Sequence, residues 1–171
     1  MNYRNIFQTI QSRYQLEEML LYLHHHPQDF DEVFELAFDV GNHKAWRIMW
    51  AIEKISRRNP EWFNQNQIEK IVDMTLTTKN HSELRICLSI LNSFPAPDII
   101  NVNLLNALYE WMLSPRYPSG IQSSSMKLLY KYVNADSDLL QEFILTLNQS
   151  DDSDYTPAFI SSKRNILKRY S

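Results

Sequence analysis

The sequence is poor in the residues that loop-built active sites and stapled folds require. In 171 residues it has two glycines, Gly41 and Gly120, and one cysteine, Cys87. Phosphate-binding loops and sheets with tight turns need residues at positive φ, so the scarcity of glycine argues against both. A lone cysteine excludes an internal disulfide. Because Cys87 lies in an apolar helical run, we expect a buried thiol rather than a nucleophile.

Long apolar runs and an excess of positive charge are also missing. No apolar stretch approaches the roughly 18 residues of a membrane span, and the first fourteen residues lack the apolar core of a secretory signal. We therefore expect a cytoplasmic protein that does not bind membranes. The net charge of −3 argues against a dedicated DNA-binding protein. The length of 171 residues favours a single domain over residues 1–171.

What the sequence does contain is helical periodicity, with apolar residues at positions i, i+3, i+4 and i+7 nearly throughout. This pattern predicts helices over residues 4–12, 15–25, 29–40, 44–58, 65–77, 82–94, 99–113, 120–133, 137–148 and 157–169. Asn64 with Gln67 is typical of a capping box, and Thr156-Pro157 of a helix start. We also expect Ser82 to be an N-cap, and Gly41 to end a helix in a left-handed turn.

The predicted helices occur in pairs that repeat along the chain. We call the first helix of each pair first-class and the second helix second-class. Helices of the second class begin near residues 44, 82, 120 and 157, and residues 42–48 match residues 80–86 at four of seven positions. A period of about 40 residues with two helices per unit is typical of HEAT and armadillo repeats. The predicted fold is therefore an all-α, right-handed α-α superhelix. Its predicted parts are an N-terminal cap (1–27) and four hairpins (28–59, 60–95, 96–134 and 135–171).

Three helical segments carry a family resemblance. They are Lys44-Ala45-Trp46-Arg47 with Trp50 and Lys54-Ile55, then Met126-Lys127-Leu128-Leu129-Tyr130, then Ser162 with Ile166-Leu167-Lys168. Over about residues 28–170 the sequence resembles a family of small bacterial HEAT-like, armadillo-type repeat proteins. The resemblance implies the repeat fold and no established activity. Some members of that family are labelled adenylosuccinate lyase.

The lyase label has a partial counterpart in residues 161–165. Ser161-Ser162-Lys163-Arg164-Asn165 resembles two parts of the fumarase and adenylosuccinate lyase signature, which is a mobile loop. The glycine, methionine and proline of that loop are missing, and the segment falls inside a predicted helix. We therefore predict no catalytic residue here.

Three other groups of residues could suggest a site, but their spacing does not support one. His24-His25-His26 would point about 100° apart on a helix, so they cannot close on one metal ion. The carboxylates of residues 29–39 fit a solvated first helical turn, and His43 and His81 occupy equivalent turn positions. No Ser/His/Asp group, Walker loop or zinc pattern occurs. We therefore predict no metal, no cofactor and no enzymatic activity.

The apolar residues of the second-class helices are the predicted core. These are Trp46, Met49, Trp50, Ile52, Ile86, Cys87, Leu88, Ile90, Met126, Leu129 and Ile166. We interpret the four tryptophans as core residues, with Trp62 the most exposed of them. Stacking on nucleobases is the alternative for tryptophans at helical spacing.

Charge differs sharply between the two helix classes. First-class segments carry thirteen carboxylates and one lysine, a net −12, over residues 28–40, 61–77, 98–113 and 136–147. Second-class segments carry twelve cations and two carboxylates, a net +10, over residues 43–58, 81–94, 119–133 and 157–171. Because the second helix generally lines the concave side of a HEAT solenoid, we expect a basic inner face that attracts an acidic partner. The predicted partner-binding residues are Lys44, Arg47, Arg85, Lys127, Lys131, Lys163 and Arg164.

These observations favour a non-enzymatic interaction or scaffold module that binds a protein partner on its concave face. The alternative is a nucleic-acid-binding protein resembling HEAT-repeat DNA alkylation-repair proteins, and an enzyme ranks third. A basic groove bearing tryptophan would favour the alternative, and a mixed or apolar groove would favour the protein partner.

Overall fold

The computed structural model describes residues 2–9, 12–38 and 45–170. Within those residues the chain forms ten α-helices and no strand, which confirms the predicted all-α fold class. The helices are α1 (Tyr3–Thr9), α2 (Arg13–His25), α3 (Phe30–Leu36), α4 (Ala45–Arg58), α5 (Gln65–Thr77), α6 (His81–Leu91), α7 (Val102–Leu113), α8 (Ser119–Val133), α9 (Ser137–Gln149) and α10 (Pro157–Leu167). Short 3₁₀ turns lie at Pro27–Asp29, Pro60–Trp62 and Asp152–Asp154.

The helix starts follow the capping chemistry of the sequence, with two differences. The capping box of α5 is confirmed, because Asn64 and Gln67 exchange two hydrogen bonds of 3.0 Å between side chain and backbone. At α6 the N-cap is Asn80, whose side chain accepts from the Ser82 amide at 2.9 Å, so the prediction of Ser82 was wrong by two residues. The predicted left-handed cap at Gly41 lies outside the described residues.

The second difference is the start of α7, which was predicted at residue 99 and is found at Val102. The reason is the position of the cap. The side chain of Asn101 accepts a 3.1 Å hydrogen bond from the Leu104 amide, which satisfies a backbone donor that would otherwise lack a partner. Thr156 caps α10 in the same way, with Pro157 in the first turn, as predicted.

The chain divides into two compact units, residues 1–71 and 72–171, and the boundary falls within α5. In the first unit α3 packs against α1 and α4, and α2 packs against α4. An aromatic cluster fills its centre, with the rings of Phe30 and Phe63 edge to face at 4.8 Å. Gln67 joins α5 to α3 through a 2.8 Å hydrogen bond to Asp31. The predicted division of residues 1–171 into hairpins of a single domain stays a prediction.

The second unit is organised around α8, which packs against α6, α7, α9 and α10. The second-class helices α6, α8 and α10 are therefore consecutive neighbours. Side chains with no exposed surface fill the space between the helices: Cys87, Leu88, Ile90, Leu108, Met112, Met126, Leu128, Leu129, Val133, Phe143, Leu147 and Phe159. This packing fixes α8 and α10 side by side.

The predicted core is correct at nine of its eleven residues and wrong at Trp46 and Trp50. The Trp46 side chain is 52% exposed, and Trp50 is partly exposed. On a helix with 100° per residue, each tryptophan lies about 200° from the isoleucine two positions later. Because Ile48 and Ile52 face the core, the two tryptophans point to the opposite side of α4. Trp111, by contrast, is buried as expected.

No helix among the described residues has both the length and the apolar character needed to cross a bilayer.

Candidate functional site

A groove of about 680 Å³ lies between α8 and α10 in the second unit. Polar side chains on one face of α8 form its first wall: Lys127, Tyr130, Lys131 and Asn134. One face of α10 and the residues after it form the second wall: Ser161, Ser162, Asn165, Ile166 and Arg169. Asn92, just after α6, completes the lining. We call this feature the α8–α10 groove.

The helical repeat explains why these side chains converge. On α8 the lining residues recur at i, i+3, i+4 and i+7, which places them on one stripe of the helix surface. The other faces of α8 carry the buried residues Met126, Leu129 and Val133, so the polar stripe cannot turn inward. On α10 the buried side chains of Phe159 and Ile166 fix the rotation of the helix in the same manner.

Lys131 is fixed in place by backbone carbonyls. Its ammonium donates to the carbonyl oxygens of Asn92 at 2.6 Å and Phe94 at 2.7 Å, both just beyond the last turn of α6. Cations are favourable at helix C-termini, where carbonyl oxygens lack intrahelical partners. Burial lowers the pKa of Lys131. One of the three ammonium hydrogens remains for another acceptor.

Arg169 lines the groove, and Tyr170 follows it in the chain. The Arg169 guanidinium donates to the Tyr130 hydroxyl at 3.3 Å and lies 5.5 Å from the centre of its ring. The Tyr170 hydroxyl donates to the Asn134 side chain at 3.0 Å and lies 2.9 Å from the Tyr130 hydroxyl. These contacts hold a second cation at the groove without placing a carboxylate beside it.

The electrostatic character of the groove follows from its composition. Lys127 is exposed and makes no ion pair or hydrogen bond with the described residues. Lys127, Lys131 and Arg169 are its cations, and no described lining residue is a carboxylate. The neutral lining residues are mainly amides and hydroxyls, which donate hydrogen bonds. Chemically, this surface is suited to an anion.

Comparison with known proteins places the chain in a family. A family model described as HEAT repeat domain matches residues 3–170. The chain belongs to the HEAT repeat domain family. No curated protein and no solved structure matches the chain significantly. HEAT repeats are scaffolds or interaction modules and are typically non-enzymatic, since stacked hairpins present extended surfaces for contact.

Of the seven partner-binding residues predicted for this HEAT repeat chain, two line the groove, and Lys163 and Arg164 are among those that do not. Lys127 and Lys131 line it, as described. Lys163 is buried, and its ammonium donates to the Ser150 carbonyl at 2.6 Å and to Asp152 at 2.8 Å. Arg164 donates to the other oxygen of Asp152 at 3.3 Å. The hydrogen bond from Lys163 is the main reason that the pKa of Asp152 is lowered.

Of the other three predicted residues, Arg85 and Arg47 lie elsewhere. Arg85 is exposed on α6, and a Cβ added at Gly120 would lie 3.6 Å from its Cδ, so its stem covers the start of α8. Arg47 belongs to the first unit, where its guanidinium carbon lies 5.1 Å from the centre of the Trp46 ring. Lys44 lies outside the described residues.

The remaining candidate residues that the structure describes are accounted for by packing, and His43 lies outside the described residues. Cys87 is fully buried, and burial is the main reason that the pKa of its thiol rises to about 12. His24 stacks on Trp62, and the His26 ring lies parallel to Tyr22 at 4.0 Å. His81 packs against Tyr117. Among the described residues, no group of three His, Cys, Asp or Glu side chains is placed to hold a metal ion.

Sequence reasoning missed Tyr130, Asn134 and Arg169 as groove residues. It considered Ser161 and Asn165 only as parts of a lyase loop and Ser162 also as part of the family resemblance, and all three lie within α10, as the helix prediction required. A signal was present. Both α8 and α10 carry a polar stripe without a carboxylate, at helical spacing. Only the packing of the two helices shows that the stripes face one groove.

The first unit has a smaller, mainly apolar groove of about 400 Å³ between α2 and α4. Its apolar lining residues are Leu20, Leu21, Ile55 and Trp62. Its rim carries an ion pair in which Arg58 and Glu17 are 3.0 Å apart. Leu21 is 60% exposed. This groove lacks an excess of either charge.

Proposed function

We propose that this HEAT repeat chain is a non-enzymatic interaction module that binds an acidic segment of a protein partner in the α8–α10 groove. The observation that carries the proposal is the lining of this groove, in which Lys127, Lys131 and Arg169 occur without a described carboxylate. Of the seven predicted partner-binding residues, the proposal keeps Lys127 and Lys131 and adds Arg169. Such a surface attracts acidic segments and speeds their encounter.

The scale of the groove favours a protein segment over a nucleic acid. Three cations line it. A protein that binds a DNA duplex can make roughly 6–10 phosphate contacts, so the groove offers fewer cations than such a surface needs. No tryptophan is among the described lining residues, and Arg169 covers the Tyr130 ring on which a base would stack. The acidic excess on the first-class helices would also repel a long polyanion. Nucleic-acid binding remains the alternative, and the same measurement tests it.

The chemistry available in the groove supports a role without catalysis. Ser161 and Ser162 lie on a helix, with no histidine or carboxylate in the described lining to activate them. Residues 161–165 do not form the mobile loop of the lyases that they resemble. We expect no fumarate release from adenylosuccinate. Turnover that is abolished by Ser162→Ala would contradict the non-enzymatic proposal.

The test is binding of a labelled glutamate-rich peptide, measured by fluorescence anisotropy at low and moderate salt. Lys127→Gln and Arg169→Gln should each weaken binding severalfold, and added salt should weaken it further. Lys79→Gln and Arg116→Gln are matched controls, because both residues are exposed and outside the groove. They should leave the affinity unchanged.

Two results would contradict the proposal. One is equal binding of a lysine-rich peptide. The other is a loss of binding in the control variants as large as in Lys127→Gln and Arg169→Gln, which would indicate a diffuse charge effect. Tighter binding of a duplex oligonucleotide than of the acidic peptide would favour the nucleic-acid alternative.

A further inference from the structure

The α10 wall of the groove carries hydrogen-bonding side chains that no described residue uses. The side chains of Ser161, Ser162 and Asn165 line the groove, and none of them has a hydrogen-bond partner among the described residues. Lys127 on the opposite wall is equally unpaired. Polar groups that converge on one space without partners are available to a ligand.

The groove offers more hydrogen-bond donors, in more directions, than a carboxylate can use. A side-chain carboxylate offers two oxygens in one plane, whereas a phosphate ester offers three oxygens in three dimensions and carries a charge of about −1.5 to −2. Donors reach the groove from two neighbouring helices, α8 and α10, so they can meet a ligand from two sides. Three cations without a described carboxylate also match a dianion better than a single negative charge.

We infer that the α8–α10 groove accepts the phosphate group of a phosphorylated serine or threonine in the protein partner. Lys127 and Arg169 supply the charge, and Ser162 and Asn165 supply neutral donors. Ile166 provides an apolar contact for the chain beside the phosphate. This inference rests on the proposed function, because it names the chemical group that the groove recognises in the acidic partner.

The size of the groove favours a phosphorylated peptide over a free phosphate ion. Its volume of about 680 Å³ leaves room for residues on both sides of a phosphate group. Lys131 adds positive charge from the wall, but its ammonium is already held by the carbonyls of Asn92 and Phe94. The groups that would distinguish a phosphorylated peptide from other ligands are therefore the four unpaired side chains, Lys127, Ser161, Ser162 and Asn165.

The experiment compares three labelled peptide libraries of about thirteen residues. They share degenerate neutral flanks and differ at a central residue, which is serine, phosphoserine or glutamate. Charge-assisted hydrogen bonds to a dianion should make the phosphoserine library bind about tenfold more tightly than the serine library. It should also bind severalfold more tightly than the glutamate library. Inorganic phosphate and a single-stranded oligonucleotide are tested in parallel as competitors.

The decisive variant is Asn165→Asp, which places a carboxylate on the α10 wall. It should abolish the preference for phosphoserine over serine. Asn106→Asp is the matched control, because Asn106 is exposed on α7 and outside the groove. It should keep the preference. Equal thermal midpoints for both variants show that each is folded, so a lost preference reports on the site.

The outcomes separate this inference from the proposed function. Equal binding of the phosphoserine and glutamate libraries overturns the inference and leaves the proposed function standing. Failure of every library and of the glutamate-rich peptide overturns both. Inorganic phosphate that binds as tightly as the phosphoserine library overturns the inference in favour of a free anion. Tighter binding of the oligonucleotide than of the phosphoserine library overturns the inference in favour of a nucleic acid.

Discussion

The ammonium of Lys131 lies 2.6 Å from the backbone carbonyl oxygen of Asn92, 39 residues earlier in the chain. The contact joins α8 to the end of α6, and a second hydrogen bond to the Phe94 carbonyl strengthens it. One turn earlier on α8, Lys127 has no such partner among the described residues. Two lysines of one helix thus have different tasks, one structural and one available to a ligand.

Replacement of Lys131 by methionine should lower the free energy of unfolding by about 1–3 kcal/mol, because two carbonyls lose a charged donor. Lys127→Met should change it by less than about 0.5 kcal/mol, since an exposed side chain with no partner is removed. Urea denaturation of the two variants measures the difference. Equal midpoints would show that the carbonyl contacts of Lys131 do not contribute to stability.

Among the side chains of α4, Met49 should contribute more to the free energy of unfolding than Trp46. Met49 is 1% exposed, so Met49→Ala should cost about 2–5 kcal/mol through the cavity that it leaves. Trp46→Ala should cost less than about 1 kcal/mol, because that ring is 52% exposed. Thermal or urea unfolding of the two variants provides the comparison. A larger loss of stability in Trp46→Ala than in Met49→Ala would indicate that the Trp46 side chain is packed in an interface.

The N-cap of α9 offers a test of a local contribution. The Asp136 carboxylate accepts from the amides of Asp138 and Leu139, both at 3.0 Å. Asp136→Ala should therefore cost about 1 kcal/mol, within the usual range for N-caps. Asp138→Ala is the control, since it removes an equal charge from the first turn without removing the cap. If the two variants lose the same stability, the effect is general electrostatics and not capping.

The thiol of Cys87 should be inert in the folded protein. It is fully buried, and burial is the main cause of a pKa of about 12. At pH 8 a thiol reagent should react with the native protein much more slowly than with the protein in denaturant. Rapid reaction of the native protein would show that α6 opens locally.

The same thiol gives a pH dependence with a defined sign. The unfolded chain releases the Cys87 proton near the ordinary value of 9.0, whereas the folded chain holds it to about pH 12. The contribution of the thiol is therefore fully present below pH 9 and is lost between pH 9 and 12. The slope is up to about 1.4 kcal/mol per pH unit. Cys87→Ala should show a shallower alkaline decline, and an unchanged decline would assign it to other groups.

The sequence by itself determined the helices and their repeat. Helix α5 at residues 65–77 and the capping box of Asn64 and Gln67 were predicted correctly, because both depend on residues within one or two turns of each other. The same holds for Thr156 and Pro157 at the start of α10. Local interactions of this kind are encoded in spacing and side-chain chemistry alone.

Only the tertiary structure decided which side of α4 is buried and which cations remain available. The sequence made α4 apolar over more than half of its circumference, so spacing alone could not show that Trp46, which was predicted in the core, is exposed and that Ile48, which was not in the predicted core, is buried. Lys127 and Lys163 are likewise the same residue type on equivalent helices. One is exposed, and the other is held by Ser150 and Asp152 from a different part of the chain. Such pairings depend on how helices pack against each other, and helical spacing within one element does not contain that information.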